Sequence, residues 1–212
     1  MTDVWNERAE AYRQSEAHRE GPDLDLIVEW ATGCSTAIDV ATGGGHVARV
    51  LREAGVNVVT TDAAPGMQPD VIARGEDLPF ADGSADLVVS RLGAHHFGDV
   101  RAALHEMARV AAKTVVIVDN TFGGTDLEEA ERLRDPSHVR CYTVEEWQGL
   151  FADAGLRIDE IRSLPQRVEV DPWLARAGCE GEEAARVREL AADRIEDGWI
   201  TLDRTAIKGV KS

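Results

Sequence analysis

The chain has 212 residues and a mass of 23.1 kDa, and 43% of its residues are hydrophobic. This is enough for one α/β domain with a full core and too little for two domains of ordinary size. Its 23 basic and 39 acidic residues give a formal net charge of −16, which argues against nucleic acid or an anionic membrane surface as a partner.

Three cysteines lie far apart in the sequence, and neither an apolar leader nor a long apolar run is present. We therefore expect a cytoplasmic protein without a disulfide framework, a membrane span or a bound metal.

The segment before the first predicted strand is long. Residues 4–19 have the spacing of an amphipathic helix, and a second helix is predicted over 23–32, after the break at Gly21 and Pro22. We expect residues 1–35 to form a helical cap that closes over a ligand. The alternative is a pair of helices that only packs against the edge of the sheet.

Residues 36–51 predict a strand, a glycine turn and a helix. The glycines at 43–45 let the backbone approach a ligand where any Cβ would collide, and the first N–H groups of the helix point outward with the positive end of the helix dipole. A nucleotide-like ligand is therefore expected. The spacing from Gly43 to Ala48 also fits the dinucleotide fingerprint, and such turns occur without any ligand, so the motif alone leaves the ligand open.

A second strand is predicted over 57–62, and it ends in Asp62. A carboxylate here can accept hydrogen bonds from both hydroxyls of a ribose, or it can simply cap a turn. Only 14 residues separate Asp62 from Asp77, so the crossover helix must be truncated and the third strand, over 70–74, must be short. The turn at 75–80 has an acidic pair beside apolar residues, which suits an adenine ring and its amino group.

A fourth strand over 85–90 leads to His95 and His96, at the edge where open α/β sheets bind their ligands. Adjacent side chains point in different directions, so we expect one histidine to face the site and the other to pack or cap locally. A helix over 99–112 and an almost wholly apolar, central fifth strand over 114–119 follow.

The last third of the chain is less regular. A helix and then a loop are predicted over 123–140, and Thr143 and Glu146 form a capping box that opens the next helix. The remaining segments are that helix over 144–154, an edge strand over 156–161, a break in the pattern over 165–178, a charged helix over 182–196 and a last strand over 199–210. The last strand can return antiparallel into the sheet.

Five motifs together resemble the class I S-adenosylmethionine-dependent methyltransferases (methyltransferase type 11). The motifs are Asp39-x-Ala-Thr-Gly-Gly-Gly-His46, Asp62, Glu76-Asp-Leu-Pro-Phe80, Asp86-Leu-Val-Val-Ser-Arg91 and His95-His-Phe97. The nearest match is the small-molecule branch around the ubiquinone and menaquinone C-methyltransferases. The likeness has specific motifs over 36–160 and is looser beyond.

The resemblance implies which residues bind the cofactor. In such enzymes the glycine turn takes the methionine part, the acid after the second strand takes the ribose, and the acidic turn takes the adenine. In this chain the corresponding residues are Gly43 and Gly45 for methionine, Asp62 for ribose, and Asp77 with Leu78 for adenine, while Asp39, Ala41, Ala63 and Glu76 complete the set. Arg91 would lie beside the sulfonium, and Tyr12 of the cap would close over it.

Three departures from the family pattern stand out. Ala41 replaces the first family glycine, the second crossover helix is truncated, and residues 111–114 read Ala-Ala-Lys-Thr in place of Lys-Pro-Gly-Gly. The fold expected is nevertheless α/β and Rossmann-like, with a seven-stranded, mostly parallel sheet, one antiparallel strand and helices on both faces. One domain over 1–212 would contain the cap, a cofactor-binding half at 36–122 and a substrate-side half at 123–212.

The expected activity is methyl transfer to an oxygen, nitrogen or carbon of a small molecule. One of His95 and His96 is the candidate general base, and the alternative is a structural or substrate-orienting role. His138 and Arg140 are candidate ligands for an anionic acceptor, or belong to a solvated loop. An NAD(P)-dependent oxidoreductase and a non-catalytic S-adenosylmethionine-binding regulator are the rival functions, and a homodimer is left open.

Overall fold

The computed structural model describes residues 5, 6, 9 and 19–211; Tyr12 and most of the helix predicted over 4–19 lie outside them. Within these residues the helices are α1 (Pro22–Trp30), α2 (His46–Glu53), α3 (Val100–Val110), α4 (Thr125–Arg134), α5 (Val144–Asp153), α6 (Val170–Arg176) and α7 (Gly181–Leu190). The strands are β1 (Thr36–Val40), β2 (Asn57–Asp62), β3 (Val71–Ile72), β4 (Ala85–Arg91), β5 (Ala111–Asn120), β6 (Leu156–Glu169), β7 (Ile195–Glu196) and β8 (Trp199–Lys211). None of the described helices combines the length and the apolar character that crossing a bilayer requires.

The strands form one sheet in the order β3-β2-β1-β4-β5-β8-β6, with β7 paired to β8. Neighbours from β3 to β5 are parallel, whereas β8 runs antiparallel to both β5 and β6. This register places Arg204 of β8 beside Asn120, at the carboxyl end of β5. The predicted Rossmann-like sheet with one reversed strand is confirmed, and the two-residue β7 is an addition to it.

Two apolar clusters cover the two faces of the sheet. Val88 of β4 belongs to one cluster with Met107 of α3, and Val89 belongs to the other with Leu51 of α2. Successive residues of a strand point to opposite faces, and burial of each such side chain contributes about 2 kcal/mol. Helices are therefore held on both faces, and the carboxyl edge of the parallel strands stays open.

A third apolar cluster lies between α4, α6, α7 and β8. Its members include Leu127, Trp173, Val187 and Leu202. These helices follow β5 and β6 in the chain, so the cluster holds the second half of the molecule against the open edge of the sheet.

Three predictions about the second half are wrong. β6 does not stop near residue 161 but continues through Pro165, because β8 pairs with it over its whole length; proline is tolerated since β6 lies at the edge of the sheet. The expected break at 165–178 is therefore the end of this strand followed by α6. The charged helix ends at Leu190 rather than 196, and a 3-10 turn over Ala192–Arg194 leads into β7.

The truncated crossover is confirmed, since only the 3-10 turn Pro65–Met67 lies between β2 and β3. The capping box is confirmed as well. Thr143 Oγ1 accepts a hydrogen bond from the Glu146 backbone N–H at 3.2 Å, and Glu146 Oε2 accepts one from the Thr143 N–H at 2.9 Å.

Candidate active site

A cavity of about 260 Å³ opens at the carboxyl edge of the parallel strands, where sheets of this kind bind ligands. Three carboxylates on one side, here called the acidic wall, are Asp39, Asp62 and Glu76. Three guanidinium groups from α4, α6 and β8, here called the arginine wall, are Arg134, Arg176 and Arg204. The cavity thus joins the two halves of the chain.

The glycine turn between β1 and α2 borders the acidic wall. Gly43 has a left-handed φ of +51°, which disfavours any other residue, and a Cβ added there would meet no protein atom within 4 Å. Gly43 and Gly44 line the cavity, so that open space belongs to it. Gly45 is the N-cap of α2 at φ +75° and is not among the wall residues.

Asp39 is buried at the base of the turn, with 1% of its surface exposed. Its Oδ2 accepts hydrogen bonds from Thr42 Oγ1 at 2.6 Å and from the Ala48 N–H at 3.2 Å. Burial raises the pKa of Asp39 to about 7, although these hydrogen bonds favour the charged form. Asp39 therefore fixes the turn and titrates near neutral pH. Ala41, with a left-handed φ of +55°, also lines the cavity.

Asp62 ends β2 and faces the turn. Its Oδ2 accepts from the Gly43 N–H at 3.0 Å, and its Oδ1 accepts from the Ala64 N–H at 2.9 Å. Burial raises the pKa of this carboxyl. Each oxygen keeps lone-pair capacity for a further donor, and both Asp62 and Ala63 line the cavity.

The turn after β3 places its three predicted cofactor-binding residues in three different environments. Glu76 lies in the cavity wall together with Gly75. Asp77 is exposed and outside the wall, in a tight turn closed by its N–H to the Arg74 carbonyl at 3.2 Å. Leu78 is buried in the core with 2% of its surface exposed. The assignment of Asp77 and Leu78 to the cavity is therefore corrected, because the turn directs one outward and the core takes the other.

Arg91 lines the cavity from the end of β4 and is tied to the first helix. Its Nε donates to Asp23 Oδ2 at 2.7 Å, and Arg204 Nη1 donates to the same oxygen at 3.1 Å. Although burial opposes the charge of Asp23, the two guanidinium groups hold the pKa of this carboxyl below its usual range. One carboxylate thus joins α1, β4 and β8.

His95 and Asp119 form a buried pair in the turn after β4 and at the end of β5. His95 Nδ1 is hydrogen-bonded to Asp119 Oδ1, and the His95 backbone N–H donates to Asp119 Oδ2 at 2.9 Å. Burial opposes both charges, but each group stabilises the other, so the pKa of His95 is raised and the pKa of Asp119 is lowered. His95 lines the cavity. The sequence assigned Asp119 no role; its place at a strand end beside the cleft was the only signal.

His96 also lines the cavity but has a different environment. Its Nδ1 lies 3.1 Å from the Ser137 carbonyl oxygen, and its ring packs on Trp5 with 4.7 Å between ring centroids. Burial, and then the charge of His95, lower the pKa of His96 to about 3, so its ring is neutral at neutral pH. The expectation that only one of the two histidines faces the site is wrong, because both do.

His138 and Arg140 lie outside the cavity wall. His138 Nε2 is 3.0 Å from Glu128 Oε1, with 1% of the side chain exposed, and Arg140 Nη2 donates to Glu146 Oε1 at 2.6 Å. Both side chains therefore already have carboxylate partners. Their assignment to an anionic acceptor is corrected for that reason.

Several wall residues carried no sequence signal. They are Trp5, Ser137, Trp173 and the arginine wall. Within this group the guanidinium of Arg134 lies over the Trp173 ring at 4.7 Å from its centroid. Distant segments bring these residues together through tertiary packing, so no local motif marks them.

Comparison with known proteins assigns the family. A family model described as a methyltransferase domain matches residues 38–118. The uncharacterised methyltransferase YcgJ of Bacillus subtilis is 30% identical over 94% of this chain and 90% of its own length. The chain is an S-adenosylmethionine-dependent methyltransferase. The predicted family and cofactor are thereby confirmed, and the oxidoreductase alternative is set aside.

Two solved structures are similar to this methyltransferase over most of its length. The crystal structure of YcgJ has a TM-score of 0.81 at 25% identity and covers 89% of this chain and 97% of that chain. A candidate methyltransferase of Bacillus halodurans has a TM-score of 0.79 at 25% identity and covers 90% and 99%. The demethylmenaquinone methyltransferase of Corynebacterium urealyticum is 38% identical, but over only 34% of this chain and 35% of its own.

Proposed function

We propose that this methyltransferase transfers a methyl group from S-adenosylmethionine to a small-molecule acceptor in the cytoplasm. One observation carries the proposal: the acidic wall and the arginine wall border the same cavity. A cofactor on the acidic side leaves the other side for an acceptor. The net charge of −16 speaks against a nucleic acid as that acceptor.

The acidic wall fits the cofactor. Both oxygens of Asp62 can accept hydrogen bonds from the ribose hydroxyls while keeping their contacts to the Gly43 and Ala64 N–H groups. The open space at Gly43 admits the methionine part, which a Cβ would obstruct. Gly75 and Glu76, rather than Asp77, would take the adenine, with Arg91 at the opposite end of the cofactor.

When bound, S-adenosylmethionine supplies an electrophilic methyl group. The protein must then hold the acceptor nucleophile in line with it and keep water out. Trp5, Trp173 and Leu202 give the cavity apolar surface suited to both tasks. In this proposal most of the rate enhancement comes from positioning.

His95 is the proposed general base for an acceptor that must lose a proton. Asp119 accepts the hydrogen bond of Nδ1–H, which leaves Nε2 as the nitrogen that takes the proton from the acceptor. Because the pKa of His95 is raised, its neutral, basic form increases as the pH rises through that raised pKa. His96, whose pKa is about 3, is too weak a base for this role.

The experiment has two parts. Isothermal titration with S-adenosylhomocysteine and with NAD tests the cofactor, and transfer of a labelled methyl group to a panel of phenols, alcohols, amines and carbon acids tests the reaction. We expect S-adenosylhomocysteine to bind and NAD not to bind. At least one class of small molecule should accept the labelled methyl group. Binding of the cofactor product with no transfer across the panel would favour the regulator, and binding of NAD alone would refute the proposal.

A further inference from the structure

The cavity has an acidic wall and an arginine wall, and two further guanidinium groups, those of Arg74 and Arg91, also line it. The acidic wall comes from β1, β2 and the turn after β3, whereas the arginine wall comes from α4, α6 and β8. Among the described residues that line the cavity, no carboxylate belongs to the arginine side. An anion that enters would therefore be attracted to the arginine wall, which has no lining carboxylate of its own.

Arg204 is the most deeply buried member of the arginine wall. It is 5% exposed, and its Nη1 donates to Asp23 Oδ2 at 3.1 Å and to the neutral Gln166 Oε1 at 3.3 Å. Asp23 is its one carboxylate partner among the described residues, and Asp23 makes its shorter contact, 2.7 Å, with Arg91. Arg204 is therefore a buried cation with a shared counter-charge.

A buried guanidinium that shares its counter-ion is costly to keep charged. Burial, together with the neighbouring Arg91, lowers the pKa of Arg204 in agreement with this. Arg134 differs, because its own partner Glu131 lies at 3.0 Å. An additional anion would therefore stabilise the charged form of Arg204 more than that of Arg134.

We propose that the acceptor is an anionic small molecule whose carboxylate or phosphate group binds Arg204. This inference rests on the proposed function. The Trp173 ring, covered on one side by Arg134, lines the same cavity and gives the acceptor an apolar surface next to the cationic one. The amino-acid carboxylate of the cofactor is a second source of the same chemistry, and the test separates the two.

The test measures binding of benzoate, its neutral analogue benzamide and phenyl phosphate to the protein saturated with S-adenosylhomocysteine. We expect benzoate or phenyl phosphate to bind and benzamide not to bind. Arg204→Gln should weaken binding of the anion about tenfold or more, as expected for loss of a charge-assisted contact. Arg204→Lys should weaken this binding less. Arg186→Gln, on the exposed face of α7, is the matched control and should change nothing.

Two further measurements identify the source of the anion. If Arg204 holds the acceptor, Arg204→Gln leaves the affinity for S-adenosylhomocysteine unchanged. If it holds the cofactor carboxylate instead, the variant weakens S-adenosylhomocysteine but not 5′-methylthioadenosine, which lacks that carboxylate, and the proposal is overturned. Circular dichroism shows whether Arg204→Gln folds. If it does not, Arg176→Gln replaces it, because Arg176 is half-buried in the same wall, and we expect a severalfold loss of affinity for the anion.

Other outcomes are equally decisive. Equal binding of benzoate and benzamide, or no binding of either anion up to high millimolar concentration, contradicts the anionic acceptor while leaving the proposed function intact. Failure of S-adenosylhomocysteine itself to bind contradicts the proposed function, and the anionic acceptor with it.

Discussion

The two walls of the cavity are assembled in different ways. Asp39 and Asp62 are held by backbone N–H groups of nearby residues, Ala48 at the start of α2 and Ala64 in the turn after β2. Arg204 depends on Asp23, which lies 181 residues away in the sequence. The acidic wall is thus encoded by local motifs, whereas the arginine wall depends on how the reversed strand and the third apolar cluster pack.

His95 lines the same cavity as the two walls, and its loss should have the largest effect. We expect His95→Gln to lower kcat by about a thousandfold for an acceptor that must be deprotonated, because general bases contribute roughly 10²–10⁴. The affinity for S-adenosylhomocysteine should not change, since Asp39, Asp62 and the glycine turn are intact. Steady-state kinetics and calorimetry measure both.

The matched control for that substitution is His105→Gln, on the exposed side of α3, which should behave as wild type. A loss of less than tenfold in His95→Gln would show that methyl transfer in this cavity proceeds by positioning alone.

Asp39 allows the raised pKa of a buried carboxyl in the acidic wall to be tested through protein stability. Its folded pKa is about 7 against an ordinary value of 3.8, so the folded state holds the proton between these pH values. The stability that Asp39 contributes should therefore fall as the pH rises from about 4 to about 7, by up to about 4 kcal/mol. Urea unfolding of wild type and Asp39→Asn at a series of pH values measures the difference, and parallel curves would contradict the assignment.

Substitutions of Asp62 and Asp77 test which of these two carboxylates contributes to cofactor binding. Asp62→Ala removes a carboxylate that contacts Gly43 and lines the cavity, and we expect about a hundredfold loss of affinity for S-adenosylhomocysteine, as for charge-assisted hydrogen bonds. Asp77→Ala removes an exposed carboxylate outside the wall and should cause no loss. Equal losses in calorimetric titrations of the two variants would restore the original sequence assignment.

The smallest effect should come from a residue of neither wall. Thr143→Ala removes the side-chain cap of α5 and should lower the free energy of unfolding by about 1 kcal/mol. Thr125→Ala is the matched control, because no side chain caps α4, and it should cost less. Thermal unfolding measures both, and unchanged ligand affinities would separate general stability from either wall.

Sequence reasoning succeeded where the signal was local. The strand–turn–helix around Gly43 and the capping box at Thr143 each lie within a few residues of what fixes them, and Asp62 is simply the last residue of β2. The truncated crossover followed from counting residues before Asp77. These features needed no knowledge of which strands are neighbours.

The remainder depended on partners that are remote in the chain. Pro165 suggested a break, yet β6 continues because β8 pairs with it. His138 and Arg140 had suitable charge, yet Glu128 and Glu146 already bind them. Asp119 acquires its role only because the turn after β4 brings His95 onto it. Sequence spacing contains none of these distances.

The carboxylate of Asp23 has a consequence for the order of assembly during translation. Its Arg91 contact spans 68 residues and its Arg204 contact spans 181, so the ribosome delivers the first partner long before the second. Chains fold largely from the N-terminus as they emerge. A nascent chain that lacks β8 would therefore contain the acidic wall while the arginine wall is still incomplete, and any property that depends on Arg204 would be the last that synthesis confers.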